Sequence, residues 1–85
     1  MDGIVKDKNY VLTGFYQNEN AVADIITKLG GKVRSSTVKD TDYIIYAETG
    51  TTKYKKAVEL KEKGRNIVFI PAEEFIEWWN NVTKK

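Results

Sequence analysis

Apolar residues form two kinds of pattern along the chain, and these patterns predict its secondary structure. Segments rich in β-branched and aromatic residues predict four strands, at residues 10–13, weakly from 32–33, at 43–47 and at 67–70. Apolar residues spaced three and four apart predict three helices, over residues 20–29, over 52–63 and from Pro71 onward. The polar ends are expected to form a lead-in (1–8) and a fraying tail (81–85).

Strands that alternate with helices predict one α/β domain over residues 1–85, in the order β-α-β-β-α-β-α. The segments 43–47 and 67–70 are apolar on both faces, which is typical of strands in a parallel sheet that is covered on both sides. A chain of 85 residues is too short for a second core, so we expect one domain.

The composition argues against catalysis. The chain contains no histidine and no cysteine, which removes the usual general base and the commonest soft metal ligands. No nucleophile–base pair, cofactor loop or metal-ligand cluster is apparent. We therefore expect a binding module without metal or cofactor. No apolar run reaches the roughly 18–20 residues of a membrane span, and no signal peptide is visible, so we expect a cytoplasmic protein.

Positive charge is concentrated on the second predicted helix. The net charge is +2, but residues 51–65 carry six cations against two carboxylates, a local balance of +4. Such a stripe favours phosphates or another acidic partner. An ordinary solvated helix face remains the alternative interpretation.

The end of the first strand carries the clearest candidate chemistry. Thr13 and Gly14 end an apolar strand, and a helix begins shortly afterwards. A hydroxyl, a sharp turn and a helix N-terminus together suit an anion such as phosphate. Alternatively, Thr13 and Gly14 simply end the strand.

Five short motifs, in order, resemble those of the BRCT domain family across nearly the whole chain. They lie at residues 10–14, 29–33, 41–45, 52–57 and 70–75. The chain resembles the subgroup found in bacterial NAD-dependent DNA ligases and in the large subunit of replication factor C. Its long second helix is also similar to that of BRCT domains attached to bacterial exonucleases. The resemblance implies a four-stranded parallel sheet in the order 2-1-3-4 flanked by three helices, and a place within a larger enzyme.

The resemblance also implies a phosphate site made by Thr13, Gly14 and Lys53. The first strand would lie where the strand order reverses, and ligands of open α/β sheets bind at the carboxyl end of such strands. Lys53 would add an ammonium at the start of the second helix. Further candidate DNA contacts are Lys55, Lys56, Lys39 and Arg34.

One position departs from the family pattern. Members that bind DNA 5′-phosphates resemble each other in an arginine near the start of the first helix, where this chain has Glu19. A carboxylate that faced the site would repel phosphate. We nevertheless expect a module of a replication or repair protein that engages DNA, at a 5′-phosphorylated end or nick near the bacterial nucleoid. The alternative is a protein-interaction module that recognises a phosphopeptide or an unmodified partner.

Overall fold

A four-stranded parallel sheet lies between helices on its two faces. The structure, a computed structural model, describes residues 3–35, 37 and 40–84. Its elements are β1 (Asn9–Thr13), α1 (Glu19–Lys28), β2 (Lys32–Arg34), β3 (Tyr43–Tyr46), α2 (Thr52–Glu62), β4 (Val68–Pro71) and α3 (Ala72–Thr83). The predicted element order is confirmed, but α3 extends into the predicted tail, so residues 81–83 are helical. None of the helices in the described part of the chain is long and apolar enough to cross a membrane.

The strand order is β2-β1-β3-β4, as the family resemblance implied. All three strand pairings are parallel, and Tyr10 of β1 lies opposite Val33 of β2 and Tyr43 of β3. The chain therefore leaves β1 toward one side of the sheet and later returns on the other. This reversal makes the carboxyl end of β1 the crevice in which such sheets bind ligands.

Helices α1 and α3 cover one face of the sheet and close the larger core. Its buried members come from three strands and both helices: Tyr10, Leu12, Val22, Ile26, Ile45, Ile70 and Phe75. Gly31 permits close packing at one end of this core. A Cβ there would lie 2.6 Å from Ile26 Cγ2 and 3.0 Å from Tyr10 Cε1, closer than packed carbon atoms approach each other.

Among the helices in the part of the chain that the structure describes, only α2 covers the opposite face. The buried residues on this side are Val11, Ile44, Ala57 and Ile67. Ala57 is the only α2 residue that is fully buried, and Tyr54 and Val58, which the helical spacing predicted to be buried, are half-exposed. Tyr54 instead packs edge-to-face against Tyr46 and Phe69, with ring centroids 5.0 and 5.4 Å away.

Candidate anion-binding site at the carboxyl end of β1

Two threonine hydroxyls meet at the carboxyl end of β1. Thr13 is 4% exposed, and its hydroxyl donates to Thr51 Oγ1 over 2.7 Å. Thr51 is the N-cap of α2, and the same oxygen accepts the backbone N–H of Tyr54 over 3.1 Å. With both lone pairs of Thr51 Oγ1 engaged, its own hydroxyl proton is left to donate. The Thr13 hydroxyl is therefore turned inward, and the half-exposed Thr51 is the donor nearer to solvent.

Lys53 extends from the first turn of α2 back over β1. Its Nζ lies 3.5 Å from the carbonyl oxygen of Leu12, and its own carbonyl accepts the Thr37 hydroxyl over 3.1 Å. The side chain is half-buried. An ammonium beside a helix N-terminus adds to the partial positive charge there. The structure thus brings Thr13, Thr51 and Lys53 together at one end of the sheet.

Gly14 makes the turn that follows β1. Its φ is +78°, and a Cβ there would lie 2.6 Å from the backbone nitrogen of Glu48. Any other residue would be strained in this conformation and would collide with backbone. The neighbouring Ala47 N–H donates to the Thr13 carbonyl over 2.9 Å. Gly14 is therefore fixed where the loops after β1 and β3 meet.

Lys53 and Glu19 line the same cavity. This cavity of about 270 Å³ lies between the start of α1 and the end of β2, and we call it the Lys53 cavity. Leu12, Ala23 and Val33 give it apolar walls, while Asn20 and Ser35 add polar groups. A carboxylate on a residue that lines the same cavity weakens the attraction of the ammonium for an anion. The structure thus gives Glu19 a position from which it would oppose phosphate.

A second cavity lies on the other side of β1, beside α3, and we call it the Tyr16 cavity. Gly14, Tyr16, Glu48 and Ile76 are among its lining residues, and its volume is about 320 Å³. The Tyr16 hydroxyl donates to Glu48 Oε1 over 2.5 Å, which links the loops after β1 and β3. This hydrogen bond to the Glu48 carboxylate raises the pKa of Tyr16 above its ordinary value.

The further candidate DNA contacts are distributed unevenly. Lys55 and Lys56 are exposed on α2, the helix that also carries Lys53. Arg34 lines the Lys53 cavity, but its Nε donates to Asn9 Oδ1 over 3.1 Å, toward the opposite end of β1. Lys39 lies outside the described residues. The roles of these four residues stay predictions.

Thr51 is not among the site residues predicted from the sequence. The apolar spacing predicts that the helix starts at residue 52, directly after it. A threonine directly before a predicted helix is a preferred N-cap, so its local role could have been read from the sequence. Its bond to Thr13, 38 positions away, could not.

Comparison with known proteins points to one family. The family model of the BRCA1 C Terminus (BRCT) domain matches residues 2–63. The chain is 41% identical over 63 residues to a DNA ligase of Campylobacter jejuni, covering 73% of this chain and 10% of that protein. It is 35% identical over 83 residues to a DNA ligase of Ruminiclostridium cellulolyticum, covering 92% of this chain and 12% of that protein. The chain thus spans about a tenth of the length of these relatives.

Solved structures share the fold. The chain superposes with a TM-score of 0.69 on Rad4 BRCT1,2 crystallised with a Crb2 phosphopeptide, at 22% identity, covering 100% of this chain and 46% of that one. The TM-score is also 0.69 for the C-terminal BRCT domain of human XRCC1, at 16% identity, covering 94% of this chain and 80% of that one. The family match, the ligase relatives and the shared sheet order agree, and the chain belongs to the BRCT domain family.

Proposed function

We propose that this BRCT domain is a non-catalytic module of a DNA replication or repair protein, and that it engages DNA through a phosphate held at the carboxyl end of β1. The observation that supports this most strongly is the convergence of Lys53, Thr51 and Thr13, with Nζ 3.5 Å from the Leu12 carbonyl and the two hydroxyls 2.7 Å apart. Lys53 would supply a charge-assisted bond and Thr51 a hydroxyl proton. The backbone N–H of Gly14 would be the third donor.

In this arrangement Thr13 would act on the phosphate only indirectly, through Thr51. Its hydroxyl is buried and already donates to Thr51, so its part would be to orient the Thr51 hydroxyl. The two threonines and Lys53 would thus act as one unit in which α2 carries the donors and β1 sets their position.

The relatives and the charge distribution favour DNA as the bearer of the phosphate. The relatives at 35% and 41% identity are named DNA ligase, and a 5′-phosphorylated end at a nick is the structure that joining DNA strands requires. Lys55 and Lys56 lie exposed on the same helix as Lys53, where a neighbouring stretch of backbone could reach them. We propose a bacterial, cytoplasmic setting at chromosomal DNA, as one domain of a larger enzyme such as a ligase.

A protein partner is the second candidate, because Glu19 lines the Lys53 cavity. A nearby carboxylate disfavours densely charged DNA, whereas a peptide could offer a backbone N–H to it beside an anionic group. Phosphopeptides are bound by the Rad4 structures that share this fold. Glu19→Gln removes the repulsive charge but keeps an acceptor for a peptide N–H, so it should tighten the binding of DNA, with its many phosphates, more than the binding of such a peptide.

Binding to nicked duplexes with a 5′-phosphate or a 5′-hydroxyl at the nick tests the proposal. Fluorescence anisotropy should show tighter binding to the phosphorylated nick, and binding should weaken as salt is added. Lys53→Ala should reduce the part of the binding free energy that depends on the terminal phosphate by about 1.5–3 kcal/mol, the range for a hydrogen bond to a charged group. Lys63→Ala is the matched control, because it removes the same charge from the end of the same helix, where Lys63 pairs with Glu59.

Two results would contradict the proposal. Equal binding to both nicks would show that the terminal phosphate is not recognised. Equal losses in the Lys53 and Lys63 variants would show that only diffuse charge matters. NMR titration with phosphoserine peptides would then examine the protein-partner candidate directly.

A further inference from the structure

The Tyr16 cavity differs chemically from the Lys53 cavity, although both open at the carboxyl end of β1. Its lining residues include two aromatic residues, Phe15 and Tyr16, the amide-bearing Gln17 and Asn18, and the acidic Glu48. All of its lining residues are described, and none of them is a lysine or arginine. A phosphate is therefore unsuited to this cavity, and a neutral part of a ligand is suited to it.

Tyr16 is exposed and held in place at the same time. It is 84% exposed, yet its hydroxyl donates over 2.5 Å to Glu48, in a loop 32 positions further along the chain. An exposed ring that is tied at its far end loses little conformational freedom when a flat group stacks on it. Ile76 of α3, 43% exposed, extends the apolar surface beside it.

A nucleobase combines the properties that this cavity would recognise. Bases stack on aromatic side chains through their flat faces, and their edges pair with carboxamides and carboxylates. We propose that the Tyr16 cavity takes the unpaired terminal base of the DNA strand whose 5′-phosphate is held by Lys53 and Thr51, with Tyr16 as the stacking surface. This inference rests on the proposed function and adds a second contact to it, on the other side of Gly14.

Duplexes with a 5′-phosphorylated single-stranded overhang test the base pocket. The terminal nucleotide carries either a base or an abasic sugar, so that the phosphate is kept while the base is removed. The parent chain should bind the base-bearing end more tightly by about 5- to 150-fold, the range for one stacked base. Tyr16→Ala should abolish this preference and keep the dependence on the 5′-phosphate. Its thermal unfolding should match that of Tyr16→Phe, which lacks the same hydrogen bond to Glu48, because the ring itself is exposed.

Tyr16→Phe is the matched control. It keeps the ring and removes the hydroxyl that donates to Glu48, so it should retain most of the preference for the base. If Tyr16→Phe loses the preference for the base as fully as Tyr16→Ala does, the preference depends on the hydrogen bond, and the ring is not the stacking surface.

Failure of this inference is distinguishable from failure of the proposed function. If phosphate dependence persists while the parent binds abasic and base-bearing ends equally, the base pocket is wrong and the phosphate site stands. If Tyr16→Ala still prefers the base, the base binds elsewhere. If binding ignores the 5′-phosphate and Lys53→Ala changes nothing, the phosphate site itself is wrong.

Discussion

The two faces of the sheet are built for different tasks. On one face, α1 and α3 bury large side chains, including Tyr10 and Phe75, in a core drawn from three strands and two helices. On the other face, α2 contributes only Ala57 to the fully buried set. Because burial of large apolar side chains supplies most of the folding free energy, stability is concentrated on the α1/α3 face. Because α2 buries little, most of its positions can hold charged side chains.

The charges divide in the same way. The outward side of α2 carries Lys55 and Lys56, whereas α3 has Glu73, Glu74 and Glu77 at exposed positions. A polyanion is attracted to the first surface and repelled by the second. Under the proposed function, DNA bound at the end of β1 would therefore extend over α2 and away from the middle of α3.

The largest expected effect concerns the α1/α3 core. Phe75→Ala should lower the free energy of unfolding by about 3–5 kcal/mol, because the ring is 1% exposed and its removal leaves a cavity among the other core residues. Urea denaturation measures the loss. Ile76→Ala is the control from the same helix turn. Ile76 is 43% exposed, so its loss should be much smaller. Equal losses would show that the core does not concentrate stability as described.

A smaller effect is expected where α2 joins the site. Thr51→Ala should lower the free energy of unfolding by about 0.5–2 kcal/mol, because it removes the N-cap bond to the Tyr54 N–H and the acceptor of the Thr13 hydroxyl. Thr52→Ala, one position later at an exposed site, is the control for helix propensity. Thr51→Ser should restore most of the loss. If Thr52→Ala lowers the free energy of unfolding as much as Thr51→Ala does, the capping role assigned to Thr51 is wrong.

Local pattern predicted the helices and strands well, whereas the strand order came from the family resemblance and the contacts within the candidate site needed the folded chain. Turn-bounded apolar segments fixed the strands and helices, because each depends on spacing within a few residues. The resemblance brought Thr13 and Lys53 to one end of the sheet. The bond of Thr51 to Thr13 and that of Tyr16 to Glu48 join residues 38 and 32 positions apart, and no periodicity encodes which hydroxyls meet. Likewise, only the folded chain shows that Glu19 lines the Lys53 cavity.

The smallest effect is expected on the outward side of α2. The Lys63 Nζ donates to Glu59 Oε1 over 3.1 Å, and this bond, followed by the charge of Lys56, lowers the pKa of the Glu59 carboxyl. A carboxyl whose pKa is lowered in the folded state stabilises the fold at pH values above its ordinary pKa. This contribution is lost as the pH falls through the lowered pKa. Lys63→Ala should therefore raise the pKa of Glu59 toward its ordinary value, as measured by NMR titration of the carboxyl carbon.

Despite this change in pKa, the free energy of unfolding at neutral pH should hardly move. Both side chains are more than half exposed, at 65% and 52%, and solvent and salt screen such pairs. Lys56→Ala should shift the pKa of Glu59 in the same direction by less, because it removes a charge but leaves the hydrogen bond from Lys63 in place. A marked loss of stability in Lys63→Ala would mean that the surface charges of α2 help to hold the fold together. The contrast between an α1/α3 face that supplies the stability and an α2 face that carries the positive charge would then fail.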